Sequence, residues 1–414
     1  MRPQLAFAFI FVTVLLDSIG FGIIMPVVPQ LIMDVSGDTL TSAARDSGLL
    51  MFAYAAMQFI ASPVLGNLSD RYGRRPVLLF SLLAMVFNYL LMGWAPTLFW
   101  LFVGRIIGGF SASTYGIANA FVADTFPAEK RAQYFALLGA AFGMGFIIGP
   151  ALGGFLGEYG PRTPFYAAAA LTAINVVYGY FVLPESLKSE HRRAFDPARA
   201  NPLGTFRQLW HYPEVIALVV VYFCYMLGHF SLPSIWAFFT IEKFDWSPRD
   251  IGFSLSAIGV AMIFVQAFLI HKVLPVWGPQ KTAIVGFIAT TVSFIGYAFV
   301  PYGWMMYPII LVGSLQGFIT PSLQSIMSAR IPANAQGELQ GALGSMSGLV
   351  AILSPPFMTQ LFAYFSSDAA IVHFPGAPFF ASAILTVLAM VLLLRTVAVG
   401  RRVVTVAKDE TPGH

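Results

Sequence analysis

The chain has 414 residues, of which 57% are hydrophobic and only 10% charged. A soluble domain carries roughly 25% charged residues, so this composition excludes a water-soluble fold and marks a polytopic membrane protein. The net charge of +4 is spread along the chain, without the concentrated basic face that a nucleic-acid binder needs.

Apolar runs of about 20 residues predict membrane helices. They fall at 5–32, 46–68, 76–94, 98–122, 132–157, 163–183, 213–240, 249–271, 280–299, 303–328, 337–363 and 376–396. The first run, AFAFIFVTVLLDSIGFGIIMPVVPQL, has no short apolar core followed by a small-residue cleavage site, so a retained helix is expected rather than a leader. It carries Asp17 at its middle, where a carboxylate costs about 2.5–3.5 kcal/mol on insertion scales, and Pro26 and Pro29 shape its outer end.

Further along, polar groups at membrane depth are few: Gln58, Asn88 and Tyr89, Asn119, Tyr222 and Tyr225, Gln316 and Gln324. These are the candidate substrate-binding residues, together with His229. Arg105 and His229 are the other ionisable side chains at mid-span. Arg105 is either a counter-ion, to Asp17 or to an anionic substrate, or a structural paired charge. His229 either titrates or only hydrogen-bonds a neighbour. The many Phe and Trp rings suit an amphipathic, partly aromatic ligand, although most of them simply face lipid.

GNLSDRYGRRP (66–76) joins the second and third runs, with glycines for a tight turn and Asp70 able to meet a helix N-terminus or an arginine. GMGFIIGPALGG (143–154) supplies small residues for close helix packing and a proline that bends the span. The polar, proline-containing stretch 184–212 divides the runs six and six. Eighteen Lys and Arg fall in one set of connections and four in the other, which predicts cytoplasmic termini and a cytoplasmic 184–212 loop.

The two halves match without a gap at an offset of 205: Pro127 meets Pro332, Gly139 meets Gly344, Gly73 meets Gly278, Gly108 meets Gly313 and Pro150 meets Pro355. A parallel repeat of two six-helix halves, 1–183 and 213–400, follows, with a linker at 184–212, a tail at 401–414 and a pathway between the halves near the midplane.

In GNLSDRYGRRP, LDSIGFGIIMPVVP (16–29), GRIIGGFSAS (104–113) and GMGFIIGPALGG, the sequence resembles the major facilitator superfamily. Within it, the sequence is most similar to the drug:proton antiporters of the tetracycline-efflux type. The resemblance implies an all-α membrane fold of twelve helices. It implies proton coupling at Asp17 and Arg105, and a cytoplasmic gate of Gly66, Asp70, Arg71, Gly73, Arg74, Asp124 and Arg131; the alternative for the gate is a static surface cluster. It also implies an antiporter-motif hinge at Gly145, Gly149, Pro150, Gly153 and Gly154; plain close packing is the other reading of that stretch.

Where tetracycline pumps of this type carry an acid, a histidine and an acid on the third, eighth and ninth helices, this sequence has Asn88, Met262 and Thr290. The departures point away from tetracycline itself as the substrate. Export of a small amphipathic drug-like compound against protons is the leading expectation, with a facilitator or proton symporter of a small metabolite as the alternative. The expected setting is the inner cell membrane, as a monomer embedded in the lipid bilayer. The single Cys224 and six histidines without ligand spacing give no expectation of a metal or cofactor. No nucleophile–base pair suggests an enzyme.

Overall fold

The computed structural model describes residues 3–196, 213–332 and 335–409. The greater part of the expected linker (197–212), with Arg199 and Arg207, lies outside the described residues, as do Arg2 and the end of the tail (410–414). The helices of the described chain run in the order α1 (Pro3–Ile23), α2 (Val28–Ser36), α3 (Leu40–Tyr72), α4 (Arg74–Trp94), α5 (Leu98–Ser111), α6 (Thr114–Thr125), α7 (Ala128–Gly157) and α8 (Thr163–Val182). Then follow α9 (Pro213–His229), α10 (Ser231–Phe244), α11 (Pro248–Phe264), α12 (Ile270–Phe299), α13 (Met306–Gly313), α14 (Ile319–Ser328), α15 (Gln336–Phe365) and α16 (Ala377–Asp409).

Eleven continuous helical stretches among the described residues are long and apolar enough to cross a membrane. One of them, Pro248–Phe299, has 52 residues. At 1.5 Å per residue it would be about 78 Å long, against a hydrocarbon core of about 30 Å. Gly278 breaks it with a φ of 73°, so it crosses twice and the spans number twelve.

The repeat seen in the sequence extends to the backbone. Gly73, between the second and third spans, has φ 106°. Its partner at the same offset is Gly278, so both halves turn the chain on a positive-φ glycine with extended ψ, a region essentially reserved to glycine that costs other residues about 1–3 kcal/mol.

Four spans are interrupted where continuous helices are expected. The first breaks at a 3-10 turn, Met25–Val27, which contains Pro26. The fourth breaks at Ala112 and Ser113, the seventh between His229 and Ser231, and the tenth winds as a 3-10 segment over Ser314–Phe318. Moved by 205, Met25–Val27 falls on 230–232 and Ala112–Ser113 on 317–318, so the interruptions themselves repeat. The eighth span adds a π-helical turn, Val265–Leu269.

The chain clusters into two compact units. One comprises Met1–Pro202, Leu232–Val260 and Ala351–Pro375; the other comprises Leu203–Ser231, Ala261–Val350 and Gly376–His414. They cut across the sequence repeat, because the seventh, eighth and eleventh spans each contribute to both. The first unit packs Phe9, Ile10, Leu78, Leu82, Phe121 and Leu138 into one apolar core. The second packs Leu218, Val221, Phe287, Leu323, Leu339 and Leu393 into another. Side chains such as Phe99, Phe181 and Val276 stand exposed, as lipid-facing surface requires.

Candidate functional site

Within the first unit, α1 carries Asp17 and α6 begins with Thr114, just after the fourth span's break. The Thr114 hydroxyl is the polar group set against the Asp17 carboxylate. Tyr54 on α3 and Tyr89 on α4 lie within the electrostatic reach of both Asp17 and Arg105. Tyr89 is buried, and a Cβ placed on Gly20, one turn from Asp17, would lie 3.2 Å from its hydroxyl. Arg105 makes no ion pair with Asp17 within 4.0 Å, and its Nε is buried without a hydrogen-bond partner. The carboxylate therefore faces a neutral hydroxyl and no cation within ion-pair distance, while the electrostatic neighbours of Arg105 are Tyr54 and Tyr89.

Asn88 lies flat on the neighbouring helix, against Gly104 and Gly108. Its Nδ2 reaches Met85 Sδ at 3.4 Å, and its Oδ1 is buried without a partner. Gln58 donates from Nε2 to the Ala112 carbonyl at 3.2 Å. That carbonyl belongs to the break in the fourth span, and a backbone group released in apolar surroundings needs such a partner. Asn119 sits half-buried on α6.

The second unit gathers the polar groups of the seventh and tenth spans. His229 Nδ1 and Gln316 Oε1 are 2.8 Å apart, and Gln316 Nε2 is 3.7 Å from Met262 Sδ. Tyr225 stacks on the His229 ring with centroids 5.7 Å apart. The Tyr222 hydroxyl meets Ser347 Oγ at 3.1 Å. Gln324 is half-buried on α14.

At the turn between α3 and α4, Arg74 is the hub. Its Nη1 donates to Asp70 at 2.6 Å and to Ser69 Oγ at 2.6 Å, and its Nε donates to Asp124 Oδ2 at 3.0 Å. Gly66 supplies the carbonyl that accepts from Ser69 Oγ at 2.7 Å. Arg71 stays out of the cluster, exposed, with its guanidinium over the Tyr72 ring. Arg131 also stays apart, donating from Nε to the Phe126 carbonyl at 2.9 Å.

Glu185, which no motif singles out, completes this cluster. Its Oε1 accepts from the Arg74 and Leu187 amides at 2.8 and 3.0 Å, and its Oε2 accepts from the Arg75 amide at 3.3 Å. It thus caps the start of α4, where an anion meets both free N–H groups and the helix dipole. A Cβ on Gly73 would collide with the Glu185 carboxylate, so glycine is needed there for space as well as for its φ. Ser186 Oγ donates to Asp124 at 3.2 Å, Asn67 Nδ2 to the Asp196 carbonyl at 2.6 Å, and the Arg193 amide to the Asp70 carbonyl at 3.1 Å. The start of the linker is fastened onto the signature turn.

The glycines of GMGFIIGPALGG serve close backbone contact. Along one face of α7, Gly145, Gly149 and Gly153 press against Leu15 to Ile23 of α1, and a Cβ on Gly153 would run into the Ile23 carbonyl. On another face, Gly154 meets Pro248 and Gly252 of α11 backbone to backbone, and a Cβ on Gly252 would strike the Pro150 carbonyl. Ser256 Oγ donates to the Ile147 carbonyl at 2.6 Å. One motif therefore seals α7 to α1 and to the start of the eighth span.

Twelve spans in repeated halves, interrupted helices, and an acid held at mid-span define a polytopic secondary transporter. The chain belongs to the Major Facilitator Superfamily, whose family model matches residues 10–355. It is similar to the tetracycline resistance protein, class C, of Escherichia coli, with 38% identity covering 88% of this chain and 91% of that protein. It is also similar to multidrug resistance protein 2 of Bacillus subtilis (strain 168), with 29% identity over 83% of this chain and 85% of that protein. These relatives put it in the drug:proton antiporter group. Among solved structures, the human organic anion transporter TETRAN superposes with a TM-score of 0.70 at 22% identity, covering 95% of this chain and 100% of the other. The nucleoside transporter NupG gives 0.75 at 14%, covering 94% and 99%. At those identities the likeness speaks for the fold alone.

Proposed function

We propose that this chain exports a small amphipathic, drug-like compound in exchange for protons, with Asp17 as the proton-binding group. The observation that carries this is the setting of Asp17: its carboxylate is set against the Thr114 hydroxyl and paired with no cation. A salt-bridged acid would give up its partner on protonation. An acid beside a hydroxyl can gain or lose a proton and find a polar partner in either state, since Thr can both donate and accept. Protonation removes a charge that is costly to hold in the membrane, so proton binding can bias which side the protein opens to. Arg105, whose buried Nε has no hydrogen-bond partner, serves proton coupling alongside Asp17 in this reading.

Gln58, Asn88, Tyr89, Asn119, Tyr222, Tyr225, His229, Gln316 and Gln324 contact substrate in this reading. The Arg74 cluster, with Asp70 and Asp124, is the gate on the cytoplasmic side. The glycine-sealed contact of α7 with α11 closes the opposite side, where the charge asymmetry puts the exterior. The halves 1–183 and 213–400 move as the alternating elements, both termini are cytoplasmic, and the working unit is a monomer in a bacterial inner membrane.

The test uses protein reconstituted in liposomes, with a pH gradient imposed and drug movement followed. Gradient-driven drug accumulation that disappears in Asp17→Asn supports the reading. Flux that ignores both the gradient and the substitution contradicts it.

A further inference from the structure

Three departures from α-helical backbone meet in the second unit. His229 ends α9 at the break in the seventh span, Gln316 lies in the 3-10 segment of the tenth, and the π turn follows Met262 in the eighth. They touch: a Cβ on Gly317 would lie 3.2 Å from Val265 Cγ1. Non-helical backbone at membrane depth persists where it is buried in protein or lines a wet space, and π turns and broken helices gather at functional sites.

The hydrogen bonds here fix a tautomer. Met262 Sδ can only accept, so the Gln316 amide turns Nε2 toward it and Oε1 toward His229. An amide oxygen can only accept as well, so His229 Nδ1 carries the proton and Nε2 carries a lone pair. Tyr225 holds the ring plane by stacking at 25°, and Phe287 holds Tyr225 edge-on. The ring is partly exposed, Nε2 is not among the buried unpartnered atoms, and no protein donor takes it among the described residues.

We propose that His229 Nε2 is a specificity-determining acceptor that selects substrates bearing a weakly acidic hydroxyl, such as a phenol, and that Gln316 is the positioning residue that fixes its tautomer. A lone pair rewards a strong O–H donor and repels a carboxylate, so the subsite favours neutral hydroxyaromatic groups over anions. This deepens the export reading, on which it rests for the word substrate.

The test is 15N NMR of histidine-labelled protein titrated with phenol and with anisole, which keeps the ring and lacks the donor. His229→Gln assigns the signal among the six histidines. The proposal predicts the Nδ1–H tautomer in the free protein, a shift of the Nε2 resonance with phenol and none with anisole. In Gln316→Leu, mixed tautomers should appear and the phenol response should saturate at a concentration roughly two- to tenfold higher, the worth of one neutral hydrogen bond. An Nε2–H tautomer, no phenol response, or an equal response to anisole overturns it, and these outcomes need no Gln316 variant. Export that persists without any phenol response removes the subsite only. A phenol response beside gradient-independent flux keeps the binding site and removes the export reading.

Discussion

Thr114, the residue that restarts the fourth span after its break, sets its hydroxyl against Asp17 on the first span. The break and the acid belong together: interrupting the helix at Ala112 and Ser113 presents a hydroxyl at the start of the new segment to a carboxylate that has no cation.

Replacing Thr114 by Val keeps the shape and removes that hydroxyl. A hydrogen bond to a charged group is worth about 1.5–3 kcal/mol. Exchange in Thr114→Val liposomes should therefore slow roughly tenfold or more, while Thr114→Ser retains most of the rate. Equal rates in all three proteins would separate Thr114 from the transport step.

Glu185 and Asp124 converge on Arg74, one at its backbone amide and one at its guanidinium. Losing a cap costs about 1 kcal/mol, so Glu185→Ala should lower the thermal midpoint of the detergent-solubilised protein by a few degrees. The double variant with Asp124→Asn should cost less than the two added, because the groups share one partner. Strict additivity would mean that the two carboxylates act independently.

Asp70 tests whether the Arg74 cluster gates. Cysteine pairs placed across the cytoplasmic ends of the spans should crosslink to a different extent in Asp70→Asn, since one of the arginine's two carboxylate partners is gone. Unchanged crosslinking would reduce the cluster to a static surface feature.

Gly252 meets the Pro150 carbonyl so closely that a methyl group has no room. Overpacking costs typically about 1–3 kcal/mol. Gly252→Ala should open the contact between α7 and α11 and make an engineered cysteine beside Ser256 react faster with a membrane-impermeant thiol reagent. The same reactivity as the parent would show that the seam yields without opening.

What the sequence discloses depends on whether a residue's signal is local. Asp17 is conspicuous because an acid inside an apolar run has few innocent explanations, and Gly73 because its turn stands between two spans. Thr114 and Tyr54 carry no such mark: hydroxyls are common in membrane helices, and their relation to Asp17 arises only when three spans pack. Of the four interrupted spans, only the first has a proline within the break itself, Pro26. The breaks at Ala112 and Phe230 have no helix-breaking residue of their own and become visible through the repeat. Glu185 follows the end of α8 in a polar stretch, where its role as a cap depends on a helix more than a hundred residues earlier.

The most direct measurement of the central claim is proton movement caused by substrate. Liposomes holding a pH-sensitive dye, with no gradient imposed, receive a transported drug on one side. If Asp17 couples the two fluxes, drug entry drives a pH change of opposite direction in the parent protein and none in Asp17→Asn, although the variant still binds the drug. Drug entry with no pH change in the parent, or the same pH change in Asp17→Asn, would contradict the account.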